Sequence, residues 1–315
     1  MDDSGLERVH LSAGQQFEST SLVWASRRAY RDRAARDLRA RLWIGAPKTK
    51  LSPAASTLAC MSQASALQLL HEITHRPAVA ACRHGAVDHP CSDVVGAQGD
   101  TEDHELQVPE PWSGFLHQRD LLFVSSNPSL SADENYPNPL WPSDAVDHYF
   151  NARFDGAEGH VKDNRSPQIG GGWSGRPVAF WSAAQARAIE LLGRPNVKPG
   201  IDYTITEVVH CKSRSEGGVA AAVDYCADRY LRRVVESSNA VVIAVFGRIA
   251  AQAVVRVLLD GAEEEQLTKA SINGIERIFV FLPHPNARVP RTVRHVLGVD
   301  RQVQVYLHLF ATRRA

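Results

Sequence analysis

A chain of 315 residues, 44% hydrophobic and 22% charged, can bury a full core and suits one large domain with extensions. Its 35 lysines and arginines balance 35 aspartates and glutamates, so net charge leaves no global footprint for nucleic acid, and any such binding must use local patches. No apolar run approaches the ~20 residues that span a bilayer, and the N-terminal MDDSGLERVHL lacks a signal peptide's basic-then-apolar pattern, which predicts a cytoplasmic protein with no membrane partner. Five cysteines in that compartment read as buried, metal-binding or catalytic, not as disulfide-bonded.

Residues 1–65 read as a variable extension, crowded with arginines between Arg27 and Arg41. Such a segment is a solvated helix or disordered arm, with a nucleic-acid-binding arm as the alternative. Met61, the only internal methionine, precedes a helical pattern and offers a second start for the native chain. Residues 66–111 form the next region: a helix over Ala66–Ile73, a loop carrying Cys82 and Cys91, and a polar connection from Asp93 to Glu110.

The remainder, 112–315, patterns as an α/β domain. Leu121–Ser125 is a short apolar strand stopped by the turn signal Asn127-Pro128. Ser131–Phe154 reads as a long aromatic loop, a kind that is usually functional. Ile169–Pro177 is rich in glycine without the Lys-Ser or Lys-Thr of a phosphate loop, and Ala179–Leu192 is a helix ended by Gly193. Tyr203–Val209 is β-branched and aromatic, and runs into a polar group from His210 to Arg214. Val219, Val223, Cys226, Tyr230 and Val234 recur at helical spacing, Ala240–Phe246 is a strand stopped by Gly247, and Ile249–Leu259 is again helical. Ile275–Leu282 and Val303–Phe310 are read as two further strands. Strand, helix, strand, helix implies a parallel βαβ unit, whose ligands collect at the carboxyl ends of the strands.

At this point the motifs become specific. TEVVHCKSR from Thr206 to Arg214, Cys226 followed by Tyr230-Leu231, a strand ending in Phe246-Gly247, FLPHPNARV from Phe281 to Val289, and an upstream LLFVSSNPS occur in the order found in one family. Over roughly Trp112–Arg294 the chain resembles the uracil-DNA glycosylase superfamily, nearest its iron-sulfur branch. The resemblance implies a three-layer α/β/α sandwich with a short central parallel sheet. It further implies a monofunctional DNA glycosylase that flips a base out of DNA and hydrolyses its bond to the sugar, leaving an abasic site without a small-molecule cofactor; a monomer is expected, although the sequence does not fix the oligomeric state.

In that comparison Asn127 orients the water; an amide is no strong base, and Asp133, Glu134 and Asp144 are the nearest carboxylates. His284 would donate a hydrogen bond to the departing base. Asn286 and Arg288 belong to the loop that presses into DNA, with Lys212 and Arg214 as further DNA-contacting cations. Trp141 has the spacing expected of a base-stacking aromatic, with Tyr136, Tyr149 and Phe150 as rivals. Cys211 and Cys226 match two cluster ligands and Cys82 and Cys91 would supply the others, which suits a structural [4Fe–4S] cluster or, failing that, zinc. The first pair departs from the branch's tight C-x-x-C, and Cys60 is spare.

Glu207 is the informative departure, because the iron-sulfur branch carries asparagine there to read uracil. An ionised glutamate has no donor for O4, whereas glutamate accepting from the N4 amine of cytosine is an established pairing. The expected substrate is therefore a modified, 5-substituted cytosine as in phage DNA, with a role in phage defence. The alternatives are a uracil-DNA glycosylase of base-excision repair, with Glu207 turned towards Lys212 or Arg214, and a non-catalytic iron-sulfur DNA-binding protein.

Overall fold

The structure, a computed structural model, describes residues 65–83, 88–99, 106–261 and 265–312. The arginine-rich extension, Met61 and Cys60 lie outside them. β1 (Leu121–Ser125), β2 (Thr204–Glu207), β3 (Val242–Phe246), β4 (Leu267–Ile272) and β5 (Ile275–Leu282) form one sheet in the order β2-β1-β3-β5-β4. β2, β1, β3 and β5 run parallel; β4 is antiparallel to β5 across the two-residue turn Asn273-Gly274, both residues at positive φ as such hairpins require. The chain is thus an α/β fold with a five-stranded, mostly parallel sheet flanked by helices.

β1 and β3 are buried along their whole length, so they read as continuous apolar runs, as strands covered on both faces must. Leu122, Val124, Ile243 and Val245 face one core, which includes side chains from α1 (65–74), α4 (Ser143–Ala152) and α8 (Gly247–Leu258). Leu121, Phe123, Val242, Ala244 and Phe246 face the other, beneath α5 (Ala179–Leu192) and α9 (Val293–Thr312). A third, smaller core joins α2 (Pro77–Arg83), α3 (Ser92–Gly96) and α6 (Val219–Cys226). α6 continues through a π-helical turn, Ala227–Leu231, into α7 (Arg232–Glu236), so the wide turn begins next to Cys226. Among the described residues no helix is long and apolar enough to cross a membrane.

Two expectations are corrected. Val303–Phe310 is not a strand but part of α9, which is interrupted at Gly298. Its alternating valines and leucines imitate a strand, yet Val305 and Leu309, one helical turn apart, are buried while Val303 and Leu307 are about half exposed at 48% and 50%. The expected loop Ser131–Phe154 contains α4, whose Val146, Tyr149 and Phe150 meet the first core at helical spacing. The strands expected at Tyr203–Val209 and Ala240–Phe246 are shorter, and β4 had no sequence assignment.

Gly218 fixes how the third core closes. It sits at φ +73°, and a Cβ there would lie 2.2 Å from the backbone nitrogen of Val94 in α3. Gly218→Ala is expected to lower the unfolding free energy by about 2 kcal/mol or more in urea titrations, since neither backbone can yield cheaply. An unchanged midpoint would show that α3 does not dock there.

Candidate active-site cavity and buried cysteines

A cavity of about 900 Å³ opens at the carboxyl ends of β1, β2, β3 and β5, where Asn127, Glu207, Gly247 and His284 emerge. This is where parallel sheets place ligands. Its floor is a buried ion network. Arg153 meets Glu110 at 2.5 Å and Glu134 at 2.9 Å, and Lys212 meets the other oxygen of Glu134 at 2.8 Å. Ser113 Oγ donates to Glu110 at 2.9 Å, and the Lys212 ammonium stands 3.6 Å from the centre of the Tyr136 ring. Two carboxylates thus face two cations. Burial alone would raise the Glu110 carboxyl, but Arg153 and Lys212 hold it below its ordinary range. Burial depresses the Lys212 ammonium, against the pull of Glu134.

Glu207 lines the same cavity without an ion-pair partner among the described residues. Burial pushes its carboxyl well above the ordinary range, the neighbouring Glu110 adds to the shift, and a hydrogen bond from Ser125 only partly opposes it. Its Oε2 has no partner. The result is a carboxyl that holds its proton to higher pH than an ordinary glutamate, with one polar atom free of any partner among the described residues, at the carboxyl end of β2.

Asn127 donates through Nδ2 to Ser213 Oγ at 2.9 Å and to the Pro128 carbonyl at 3.1 Å, which leaves its carbonyl oxygen as the acceptor it offers to the cavity. Beside it Ser126 Oγ donates to Glu216 Oε1 at 2.8 Å. Ser215 and Glu216 both adopt left-handed backbone, at φ 51° and 58°. Two consecutive non-glycine residues in that region cost of order 1–3 kcal/mol each, and strain of this kind clusters at functional sites. His284 accepts the backbone N–H of Asn286 on Nδ1 at 3.2 Å, so its Nε2 carries the proton. Burial lowers its pKa, with Glu216 opposing, and keeps the ring a neutral donor. Gly247, at φ +80°, lets the ring in: a Cβ there would stand 3.1 Å from His284 Cβ.

Asn127, Glu207, Lys212, His284 and Asn286 are therefore brought to one cavity. Glu134, one of the candidate carboxylates, lines it as well, and the remaining expected residues do not. Lys212 lines the cavity but is 1% exposed and paired, so it is part of the floor and not a surface contact for DNA. Tyr136 lies under the floor, with its hydroxyl 3.3 Å from Glu110 Oε2. Trp141 packs edge-on against Tyr149 at 5.9 Å, outside the lining, and Tyr149 and Phe150 are core. The aromatic faces in the lining are Phe180, Trp181 and Phe246, with Phe180 stacked on His284 at 6.4 Å. Arg214 and Arg288 are exposed and outside the lining, as are Asp133 and Asp144. Glu134 is spent on the ion network. Sequence reasoning missed Glu110, Arg153, Phe180 and Glu216, and only Glu216 had a signal, its place in the polar loop after β2.

Cys82, Cys91, Cys211 and Cys226 are free, buried and part of the third core. The Cys91 thiol is pushed up to about 12, chiefly by its hydrogen bond with Cys211. Arg76 donates through Nη1 to Cys226 Sγ at 3.5 Å, while its buried Nη2 has no partner. Among the described residues no carboxylate forms an ion pair with it. A buried guanidinium set against a thiol, the Ile73 carbonyl and the Tyr230 ring, with no carboxylate paired to it, lacks counter-charge that metal-bound thiolates would supply, so the donor set fits a soft metal centre. The four sulfurs are nevertheless not drawn together into a set lying within 4.8 Å of one another. No protein-family model matches the chain, and no curated protein matches it.

Glu207 generates a pH prediction. Its native carboxyl holds a proton to higher pH than the unfolded chain, whose value is about 4.5, so its contribution to stability is complete below that pH and is lost as pH rises towards the native value. Glu207→Gln removes the loss. Its stability relative to wild type should therefore climb as pH rises above about 4.5 in denaturant titrations; parallel curves would mean that the carboxyl is not held protonated.

Proposed function

We propose that this chain is a DNA glycosylase with the three-layer architecture of the uracil-DNA glycosylases, acting on a flipped-out, 5-substituted cytosine. The observation that carries the reading is Glu207, a buried carboxyl with raised proton affinity and a free oxygen, lining the cavity where the resembled branch reads the base. It can donate to the ring nitrogen of cytosine and accept from the N4 amine. A ring nitrogen that accepts can also take the proton outright, which makes the base a better leaving group; uracil, with N–H there, cannot do this. The cavity is near the upper end of small-ligand pockets, roughly 300–1,000 Å³, and leaves room beside a base for a substituent. Selectivity for a bulky, foreign modification is what spares the host's own cytosine, and it supports a role against phage DNA.

The reaction needs a held water, a stabilised leaving base and an oxocarbenium-like sugar. Asn127 orients the water through its carbonyl oxygen, and Glu216 is the carboxylate that receives its proton. His284 Nε2–H donates to the departing base, an interaction of ~3 kcal/mol in such sites. Phe180 supplies the stacking face, worth ~1–3 kcal/mol. Asn286 and Arg288, on the loop after β5, press into the DNA. A [4Fe–4S] cluster held by Cys82, Cys91, Cys211 and Cys226 would be structural, since hydrolysis moves no electrons. The neutral carboxyl of Glu207 also matches the O4 and N3–H of uracil, so repair of uracil is the second reading.

Abasic-site formation on oligonucleotides carrying uracil, cytosine, 5-hydroxymethylcytosine or its glucosylated form separates the readings. Wild type should cut only modified cytosine, His284→Ala and Glu216→Gln should each lose about 10²-fold or more in rate, and Glu207→Asn should lose activity on modified cytosine. Efficient cutting of uracil by wild type would return the chain to repair, and binding without cutting of any substrate would leave a non-catalytic DNA-binding protein.

A further inference from the structure

Away from the cavity, one group of side chains has the composition and spacing of a transition-metal site. His148 in the middle of α4, Asp155 in the turn that follows the helix, and His160 each bring one ligand atom to within 4.8 Å of the others. Asp155 Oδ1 lies 2.9 Å from His160 Nδ1 and accepts the backbone N–H of Ala157 at 2.8 Å, so the carboxylate is already oriented. The His148 and His160 rings are 5.4 Å apart. His160 is held on three sides: it is 8% exposed, it packs edge-on against Tyr149 at 5.6 Å, and its carbonyl accepts Trp173 Nε1–H at 2.7 Å.

We propose that His148, Asp155 and His160 bind a divalent transition ion of the zinc class, with the remaining coordination left to water. Two imidazoles and one carboxylate suit zinc, nickel or copper, whereas magnesium and calcium prefer oxygen throughout. Ligand atoms around a tetrahedral zinc lie roughly 3.3 Å apart, so the observed set needs side-chain adjustment only. A solvated Asp–His pair would account for Asp155 and His160 but makes no use of His148.

The site's position gives the ion a task. Arg153, the centre of the cavity floor, lies between His148 and Asp155 in the chain, and its carbonyl accepts the Val161 N–H at 2.7 Å. Trp173, tied to His160, leads directly into Ser174 and Arg176 of the cavity wall. An ion here touches no substrate; it braces the turn that presents Arg153 and anchors the glycine-rich wall. The inference does not depend on which base the cavity takes, or on whether it takes one.

Zinc titrated calorimetrically into the full-length chain, with whatever the cysteines hold left in place, should bind at one equivalent with micromolar or tighter affinity. His148→Ala and Asp155→Asn alter exposed side chains and should each abolish that equivalent while far-UV circular dichroism is unchanged. At 100-fold excess over Kd, zinc should raise Tm of the wild type by roughly 5–10 °C and of neither variant. Cobalt(II) should give a visible band without thiolate charge transfer. Equal uptake by wild type and variants, binding only at millimolar zinc, or a thiolate band lost with the cysteines would each overturn the proposal.

Discussion

The ion network under the cavity is the constraint on which the rest of the site depends. Glu110, Glu134, Arg153 and Lys212 come from four separate segments: before β1, after β1, after α4 and after β2. None could be buried alone, because an isolated charge in such an interior costs several kcal/mol. Together they are neutral, and the pairs satisfy one another at 2.5–2.9 Å. Segments that would otherwise be independent loops therefore share one electrostatic condition: removing any member strands a buried charge, at about 3–5 kcal/mol.

The same network sets the state of Glu207. Arg153 and Lys212 are already engaged by Glu110 and Glu134, so Glu207 receives no cation of its own and feels Glu110 as a like charge. Its raised proton affinity follows from where the cations are spent, not only from its depth. A carboxyl kept protonated can donate as well as accept, which an ionised one cannot. The floor thus controls the chemistry of the group above it without touching a substrate.

The sequence made some of this legible and hid the rest for identifiable reasons. β1, α5 and β5 were readable to the residue because each combines one clear periodicity with a sharp stop, such as Gly193 after α5. α9 was not, since its valines and leucines alternate as a strand's do, and only the partner surface decides which of them is buried. In the site, Asn127, Glu207 and His284 were visible because they sit in short motifs at strand ends, where position implies direction. Arg153 was not visible, because its role depends on two carboxylates 43 and 19 residues before it and on no local pattern. Phe180 and Trp141 show the same limit: both are aromatic and near the motif, and only the folded chain shows that Phe180 faces the cavity while Trp141 packs on Tyr149.

Glu110 also links the cavity to the cysteine-bearing core. Its side chain belongs to the floor, while its backbone pairs with His210: the Glu110 N–H donates to the His210 carbonyl at 2.8 Å, and His210 Nδ1 donates to the Glu110 carbonyl at 2.8 Å. Burial and the nearby Arg76 depress His210 to about 3, so the ring is neutral and its Nε2 is an unpartnered acceptor. The next residue is Cys211. One short stretch of β-like pairing therefore ties the ion network to a potential metal ligand, with His210 on one side of Cys211 and Lys212 on the other. Arg76 argues for such a load, because its guanidinium is buried against sulfur and aromatic ring with no carboxylate paired to it among the described residues. Thiolates gathered on a metal would balance that charge, and Cys211 adjoins the cavity floor by two routes, the His210–Glu110 pair and Lys212, the residue that follows it.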